Sequence, residues 1–173
     1  MPRASVSVRT VRTRRRGKKW SPVLVDIHGD QQQVAAQSSH TWTSTLCSNS
    51  ANTASAPTAT VIKCGNFKVS FDIEVTATAV SNVSGRCFIM FVPQGTNPTY
   101  QWPTLHPEYI MAWRSFQVGG TVSAVTIQSR LKRNLNSGDG IVLITTVYNY
   151  NPQQGASVTF GLDGACSYVC CAN

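Results

Sequence analysis

Apolar and polar residues alternate most regularly along residues 67–77. One side of an extended chain would carry the apolar side chains Phe67, Val69, Phe71, Ile73 and Val75. The positions between them carry charged or hydroxyl side chains, namely Lys68, Ser70, Asp72, Glu74 and Thr76. A period of two residues predicts a β-strand with one face on the core and the other in solvent. Residues 86–92 form a largely continuous apolar run, which predicts a more deeply buried strand.

Shorter stretches of the same character recur along the rest of the chain. They lie at residues 23–28, around Trp42, and at 109–118, 122–131, 141–150, 157–162 and 166–171. Turn signals rich in glycine separate the later ones, including Gly119-Gly120 and Asp163-Gly164. Residues 47–60 and the proline-rich residues 93–107 are predicted to be loops. With no convincing helix pattern and about eight strands, the sequence predicts an all-β sandwich, with an eight-stranded jelly roll as the leading candidate.

The net charge of +8 is confined to one end of the chain. Residues 1–19 contain no acidic residue and eight of the fifteen basic ones, namely Arg3, Arg9, Arg12, Arg14, Arg15, Arg16, Lys18 and Lys19. The remaining seven basic residues balance the seven acidic ones. Because like charges repel and the segment has little apolar surface to bury, residues 1–19 are predicted to be a disordered basic arm. Residues 20–173 are predicted to form a single domain.

A disordered cationic arm suits binding to nucleic acid, because phosphate attraction is long-ranged and independent of sequence. Arginine adds a planar fork that holds two phosphate oxygens at once. The arm has no aromatic residue before Trp20, which argues against base stacking and sequence-specific reading. A second basic cluster, Arg130, Lys132 and Arg133, lies at the end of a predicted strand. We expect it to continue the path of the arm, although charge balance at a strand end is the alternative.

Other roles for the arm are also open. Residues 14–19 resemble a nuclear-import signal, and one segment can serve both purposes. A transit peptide is disfavoured because valines and threonines lower helix propensity and the arginines are bunched. A membrane-surface arm would need apolar anchors that are missing here, and no stretch approaches the length of a membrane-spanning helix. No apolar segment typical of a secretory signal follows the arm, so the cysteines are expected to stay reduced.

Residues that could support catalysis or bind metal are few and scattered. The three histidines, His28, His40 and His106, stand in no nucleophile, metalloprotease or phosphate-loop motif. The cysteines show no paired C-x-x-C spacing, and buried thiols acting as small apolar groups explain them. We therefore expect no enzymatic activity, metal or cofactor, while Ca²⁺ at a contact between subunits stays open.

Two segments carry a resemblance to a known family. Residues 106–114 (HPEYIMAWR) and 129–141 (SRLKRNLNSGDGI) resemble the middle of capsid proteins of small circular single-stranded DNA viruses, of the circovirus and nanovirus kind. The basic arm matches the layout of that family. In length the chain is also similar to coat proteins of satellite RNA viruses, so that DNA and RNA genomes both stay open.

The resemblance implies a jelly-roll shell domain over residues 20–173 and a closed icosahedral shell of about sixty copies. The arm would lie inside on viral single-stranded nucleic acid, with DNA expected. The protein would be found in the virion and, during assembly, in the host nucleus, which it would reach through a host nuclear import receptor. No membrane partner is expected.

The aromatic residues of the proline-rich loop are candidates for contacts between subunits. Tyr100 and Trp102 are predicted to be exposed interface anchors, with simple packing of the loop as the alternative. Two rival functions are a β-sandwich that binds nucleic acid without assembling and carries a nuclear-targeting tail, and a cupin-like enzyme. Particle formation separates the first rival from a capsid protein. The second needs clustered histidine and carboxylate ligands, for which three scattered histidines are poor material.

Overall fold

The computed structural model describes residues 19–49, 61–76, 83–152 and 157–172. These residues form eight strands: β1 (Ser21–Val34), β2 (Ser38–Ser48), β3 (Ile62–Thr76), β4 (Val83–Val92), β5 (Ile110–Gln117), β6 (Val122–Leu135), β7 (Gly140–Asn149) and β8 (Val158–Ala172). Helix α1 (Trp102–Leu105) and a 3-10 turn (Pro107–Tyr109) lie between β4 and β5. Of the predicted arm, residues 1–18 lie outside the described residues.

The strands form two antiparallel four-stranded sheets. Sheet one has the order β1-β8-β3-β6, and sheet two has the order β2-β7-β4-β5. Apart from the pair β4 and β5, every two consecutive strands belong to opposite sheets, so the chain crosses repeatedly from one layer to the other. This is the topology of an eight-stranded jelly roll, and the predicted fold class is confirmed.

Strand β3 shows how the main core between the sheets is built. It lies in the middle of sheet one, paired with β8 on one side and β6 on the other. Its five apolar side chains at alternate positions are all at most 4% exposed, as the period of two predicts. They join residues of both sheets in one apolar cluster. A fully buried side chain of this size contributes about 1.5–3 kcal/mol, so this row holds the two layers together.

Sheet two is apolar on its outer face as well. A second apolar cluster there contains Met90 and Val92 of β4, Val142 and Ile144 of β7, and Trp102 of α1. The covering segment, residues 93–109, thus runs over the outer face of sheet two. Strand β7 is consequently buried on both faces, and the prediction of a deeply buried strand over residues 86–92 is confirmed.

One predicted turn is wrong. Residues 157–162 and 166–171 do not form two strands divided at Asp163-Gly164, because β8 is continuous from Val158 to Ala172. Gly164 lies opposite Ile27 of β1 and Phe71 of β3. A Cβ at Gly164 would collide with the backbone of Phe71. The glycine therefore permits a close approach of two strands, which is the other common reason for glycine inside a strand.

Two other boundaries also differ from the sequence prediction. Cys47 belongs to β2 and does not begin a loop, while the rest of that predicted loop, residues 50–60, lies outside the described residues. The proline-rich residues were predicted to contain no helix, yet α1 and the 3-10 turn form there, each with a proline in its first turn. Proline suits that position because its missing N–H needs no partner. Segments of three or four residues are too short to show helical periodicity in sequence.

A buried carboxylate fastens the turn between β6 and β7. Asp139 is 6% exposed, and its carboxylate accepts hydrogen bonds from the backbone N–H groups of Gln94 at 3.0 Å and Asn136 at 2.8 Å. The backbone N–H of Asn49 donates to the Asp139 carbonyl at 2.9 Å. Asp139 thus joins the end of β2, the β6–β7 turn and the start of the covering segment.

We predict that Asp139→Ala destabilises the domain by about 2–4 kcal/mol, because two part-buried hydrogen bonds to a buried carboxylate are lost. Chemical denaturation of the unassembled protein measures the loss. The matched control is Asp163→Ala, which removes a largely exposed carboxylate and should change the free energy of unfolding by less than about 0.5 kcal/mol. Equal effects of the two substitutions would contradict the role assigned to Asp139.

Candidate nucleic-acid and assembly surfaces

The described residues next to the predicted arm make an aromatic contact with the domain. Lys19 and Trp20 come directly before β1, and the Nζ atom of Lys132 on β6 lies 5.1 Å from the centroid of the Trp20 ring. Gly65 of β3 lies between them in the sheet, and a Cβ there would meet the Lys132 side chain at 2.6 Å. The missing side chain lets the Lys132 stem lie flat across the sheet. A cation–π contact at an exposed site is worth about 0.5–1 kcal/mol.

The structure divides the predicted cluster of Arg130, Lys132 and Arg133. Arg130 and Lys132 are exposed on the outer face of sheet one. Arg133 points to the opposite side, where its guanidinium lies 5.7 Å from the Phe91 ring and donates to the Glu108 carbonyl at 3.4 Å. Successive side chains of a strand face opposite ways, so adjacent residues 132 and 133 cannot share a surface.

Two lysines of β3 join the surface that Arg130 and Lys132 occupy. Lys68 lies opposite Gln128 of β6 and lines a shallow depression with Arg130, and Lys63 lies opposite Asn134. We call Lys63, Lys68, Arg130 and Lys132 the basic end of sheet one. Alternation along β3 indicates that Lys68 faces solvent, but only the pairing of β3 with β6 places it beside Arg130.

The other end of the same face is acidic. Five of the seven acidic residues lie there: Asp26 and Asp30 of β1, Asp72 and Glu74 of β3, and Asp163 of β8. His28 lies among them, 3.6 Å from both Asp30 and Asp163. Throughout the described ranges, every ion pair within 4.0 Å joins a histidine to a carboxylate, and none involves lysine or arginine. Opposite charges are thus separated along the strands of sheet one.

Of the two predicted interface aromatics, one is exposed and the other is buried. Tyr100 is 65% exposed, as expected. The expectation that Trp102 is exposed is wrong, because its side chain is only 9% exposed and fills the apolar cluster on sheet two. Its ring centroid lies 4.1 Å from that of His106. The physical reason is that the outer face of sheet two is apolar and needs a cover, which a reading of the loop alone does not reveal.

A large exposed aromatic that the sequence reading did not single out is Trp113, which is 61% exposed on the edge strand β5. It lies opposite Phe88 and lines a groove with Arg86, Ile110 and Ser115. The groove continues the apolar outer face of sheet two beyond the area that the covering segment protects. Alternation along residues 109–118 is weak, so the sequence carried little signal for which side Trp113 faces.

All six cysteines are free thiols, and most are buried. A hydrogen bond with the Cys64 thiol lowers the pKa of Cys47 to about 7. Burial raises the pKa of Cys87 and of Cys166 to about 12. Within the described residues, no three histidine, cysteine or acidic side chains are placed to hold a metal ion. Nor is any helix among those residues long and apolar enough to cross a membrane.

We predict that Cys87 and Cys166 resist alkylation in the native protein, because a raised pKa keeps the thiol protonated at pH 8 and the reactive thiolate scarce. The half-buried Cys170 should be alkylated before them. Iodoacetamide labelling followed by mass spectrometry measures the order in which the thiols are alkylated. Labelling in urea is the control that each thiol reacts once it is exposed. Modification of Cys87 before Cys170 in native protein would be incompatible with this burial.

Comparisons with known proteins leave the family of the chain open. No family model matches it, and no curated protein matches it. Among solved structures, it is similar to a chain of Desmodium yellow mottle tymovirus, with 12% identity over 96% of this chain and 94% of that one, and a TM-score of 0.36. It is also similar to a chain of turnip yellow mosaic virus, with 17% identity over 95% of this chain and 89% of that one, and a TM-score of 0.36. The empty head of turnip yellow mosaic virus at 100 K shows 16% identity over 95% of this chain and 89% of that one, with a TM-score of 0.34. At this level of identity and superposition, the similarities carry no conclusion about function.

Proposed function

We propose that this chain is a viral capsid protein, which assembles into a closed shell and packages single-stranded nucleic acid through its basic arm. The observation that carries the proposal is the division of charge on a jelly-roll domain. The arm holds the whole net charge of +8, while the domain is neutral. A container needs this division, because its wall must pack against copies of itself while its interior attracts phosphate.

The surface of the domain supports contacts between copies. Seven large apolar side chains among the described residues are more than half exposed, including Trp113, Tyr100 and Leu24. Only 13% of all residues are charged, about half the usual fraction. Exposed apolar groups and scarce charge promote aggregation of a monomeric protein, whereas in an assembly the same apolar groups can be buried in the interfaces between subunits.

The proposed shell is the smallest one that icosahedral symmetry allows. About sixty copies close the smallest icosahedral shell, and sixty arms of eight charges would neutralise on the order of 500 phosphates. The sequence resemblance favours single-stranded DNA, and residues 14–19 favour uptake into the host nucleus through an import receptor before assembly. Carriage in the virion is part of the same proposal. The proposal assigns no catalytic step and no cofactor to the chain.

We predict that the full-length protein sediments as a fast, sharp boundary with excess absorbance at 260 nm. Removal of residues 1–19 should remove most of that excess, because the arm supplies most of the cations available to phosphate. For free arms on single strands, the log–log slope of affinity against salt should approach about −6. Sedimentation velocity read at 260 and 280 nm makes both comparisons. A slow monomer or dimer boundary under every condition would instead favour a nucleic-acid-binding module that does not assemble.

We predict that Tyr100→Ala and Trp113→Ala lower the yield of particles but leave the stability of the unassembled domain nearly unchanged, because both side chains lie mostly in solvent. Trp102→Ala is the contrasting variant. It empties the apolar cluster on sheet two and should cost about 3–5 kcal/mol. Particle yield by sedimentation and the unfolding midpoint separate the two effects. Normal particles from both surface variants would exclude Tyr100 and Trp113 as subunit contacts.

A further inference from the structure

We propose that the folded domain carries a second nucleic-acid contact, distinct from the arm, at the basic end of sheet one. Lys63, Lys68, Arg130 and Lys132 would bind phosphate groups of single-stranded nucleic acid there. The inference rests on the proposed function and adds to it a fixed site on the rigid wall. It also sets which face of the domain is turned toward the packaged strand.

The first support is the placement of the four cations. They come from the adjacent strands β3 and β6 and lie on one face of the sheet. Lys68 and Arg130 line the same shallow depression, with Asn66 and Gln128 as further polar lining. Adjacent strands lie about 4.8 Å apart, and the step from Lys63 to Lys68 spans about 16 Å along β3, so the four cations occupy a narrow strip on two neighbouring strands. A polyanion spanning the surface therefore meets all of them together.

The second support is that these cations have no anionic partner among the described residues. No carboxylate lies within 4.0 Å of any of them in the part of the chain that the structure describes. The acids of the same face are gathered at its opposite end, beside Asp72 and Asp163. Gathering like charges raises the electrostatic energy of the free domain. Anions from outside, such as phosphate groups, would relieve that repulsion at the basic end.

The third support is the position of the arm. Trp20 lies against Lys132, so the residue that joins the basic arm to the domain is itself located at the basic end. A nucleic-acid strand bound by the arm is thereby kept at high local concentration beside the four cations. Cations of the arm and of the domain then form one continuous path for a phosphate backbone.

The chemistry of the surface defines the ligand as a phosphate backbone without sequence preference. Three of the four cations are lysines, which act as point charges and make no planar, paired contact with a base edge. One face of the Trp20 ring is already occupied by Lys132. In the assembled shell, the outer face of sheet one would consequently look inward, and sheet two with its covering segment would lie away from the nucleic acid.

The test compares two triple variants of the full-length chain that have the same net charge. The first variant, Lys63→Gln, Lys68→Gln and Arg130→Gln, removes three of the four cations of the basic end and keeps Lys132, which contacts Trp20. Arg86→Gln, Arg114→Gln and Arg133→Gln remove three cations that lie elsewhere on the domain. The measured quantity is the salt dependence of binding to single-stranded oligothymidine, and thermal unfolding verifies that both variants fold.

The expected result is a slope reduced in magnitude by about 2 in the basic-end variant, since each lost contact removes about 0.7. The control variant should keep the wild-type slope. Equal slopes in the two variants would overturn the inference, as would tighter binding of the wild type to polyglutamate than to oligothymidine. If either of these results is found but wild-type particles package nucleic acid, the proposed function stands and only the second contact is excluded. If the wild type forms no particles, the capsid function is contradicted, whatever the binding slopes are.

Discussion

The burial of one face of β3 between the two sheets is the constraint on which the remaining structure depends. Once Phe67, Phe71 and their alternate neighbours point inward, the intervening residues must point outward. The pairing of β3 with β8 and β6 then arranges those outward residues into rows with their neighbours. The charged outer face of sheet one, with its basic and acidic ends, is thus a geometric consequence of how the core is packed.

Sheet two differs from sheet one because both of its faces are apolar and both need to be covered. Its inner face packs against sheet one, and its outer face is covered by residues 93–109, with Trp102 at the centre. The cover is incomplete, since Trp113 and Phe88 lie beyond it on the side of the edge strand β5. An exposed apolar surface of this kind marks a site of contact with another molecule or a liability to aggregation.

The two faces of the sandwich therefore have different physical characters. Sheet one presents separated charge and lies beside Trp20, which directly follows the basic residues 1–19 in the sequence, while sheet two presents aromatic and aliphatic surface. Charge of one sign attracts a polyanion over long range, and apolar surface binds only what fits closely against it. This asymmetry agrees with the proposed role of a wall between nucleic acid and neighbouring subunits.

The sequence by itself determined the fold class and the location of charge. Alternation along residues 67–77 and the turn signals were sufficient for an eight-stranded sandwich, because local periodicity reports which face is buried. The composition of residues 1–19 predicted a basic arm without any structure, because counting charge needs no coordinates. The second basic cluster was only partly predictable, since Arg130 and Lys132 belong to it but Arg133 faces away.

Tertiary structure alone decided what depends on pairing between distant segments. Gly164 permits a close approach to Phe71 and makes no turn, and Lys63 and Lys68 lie beside β6. Trp102 is buried against the outer face of sheet two, a contact that the sequence of its own loop did not reveal. The physical reason is that each of these features arises between residues far apart in the chain, where local pattern carries no information about the neighbour.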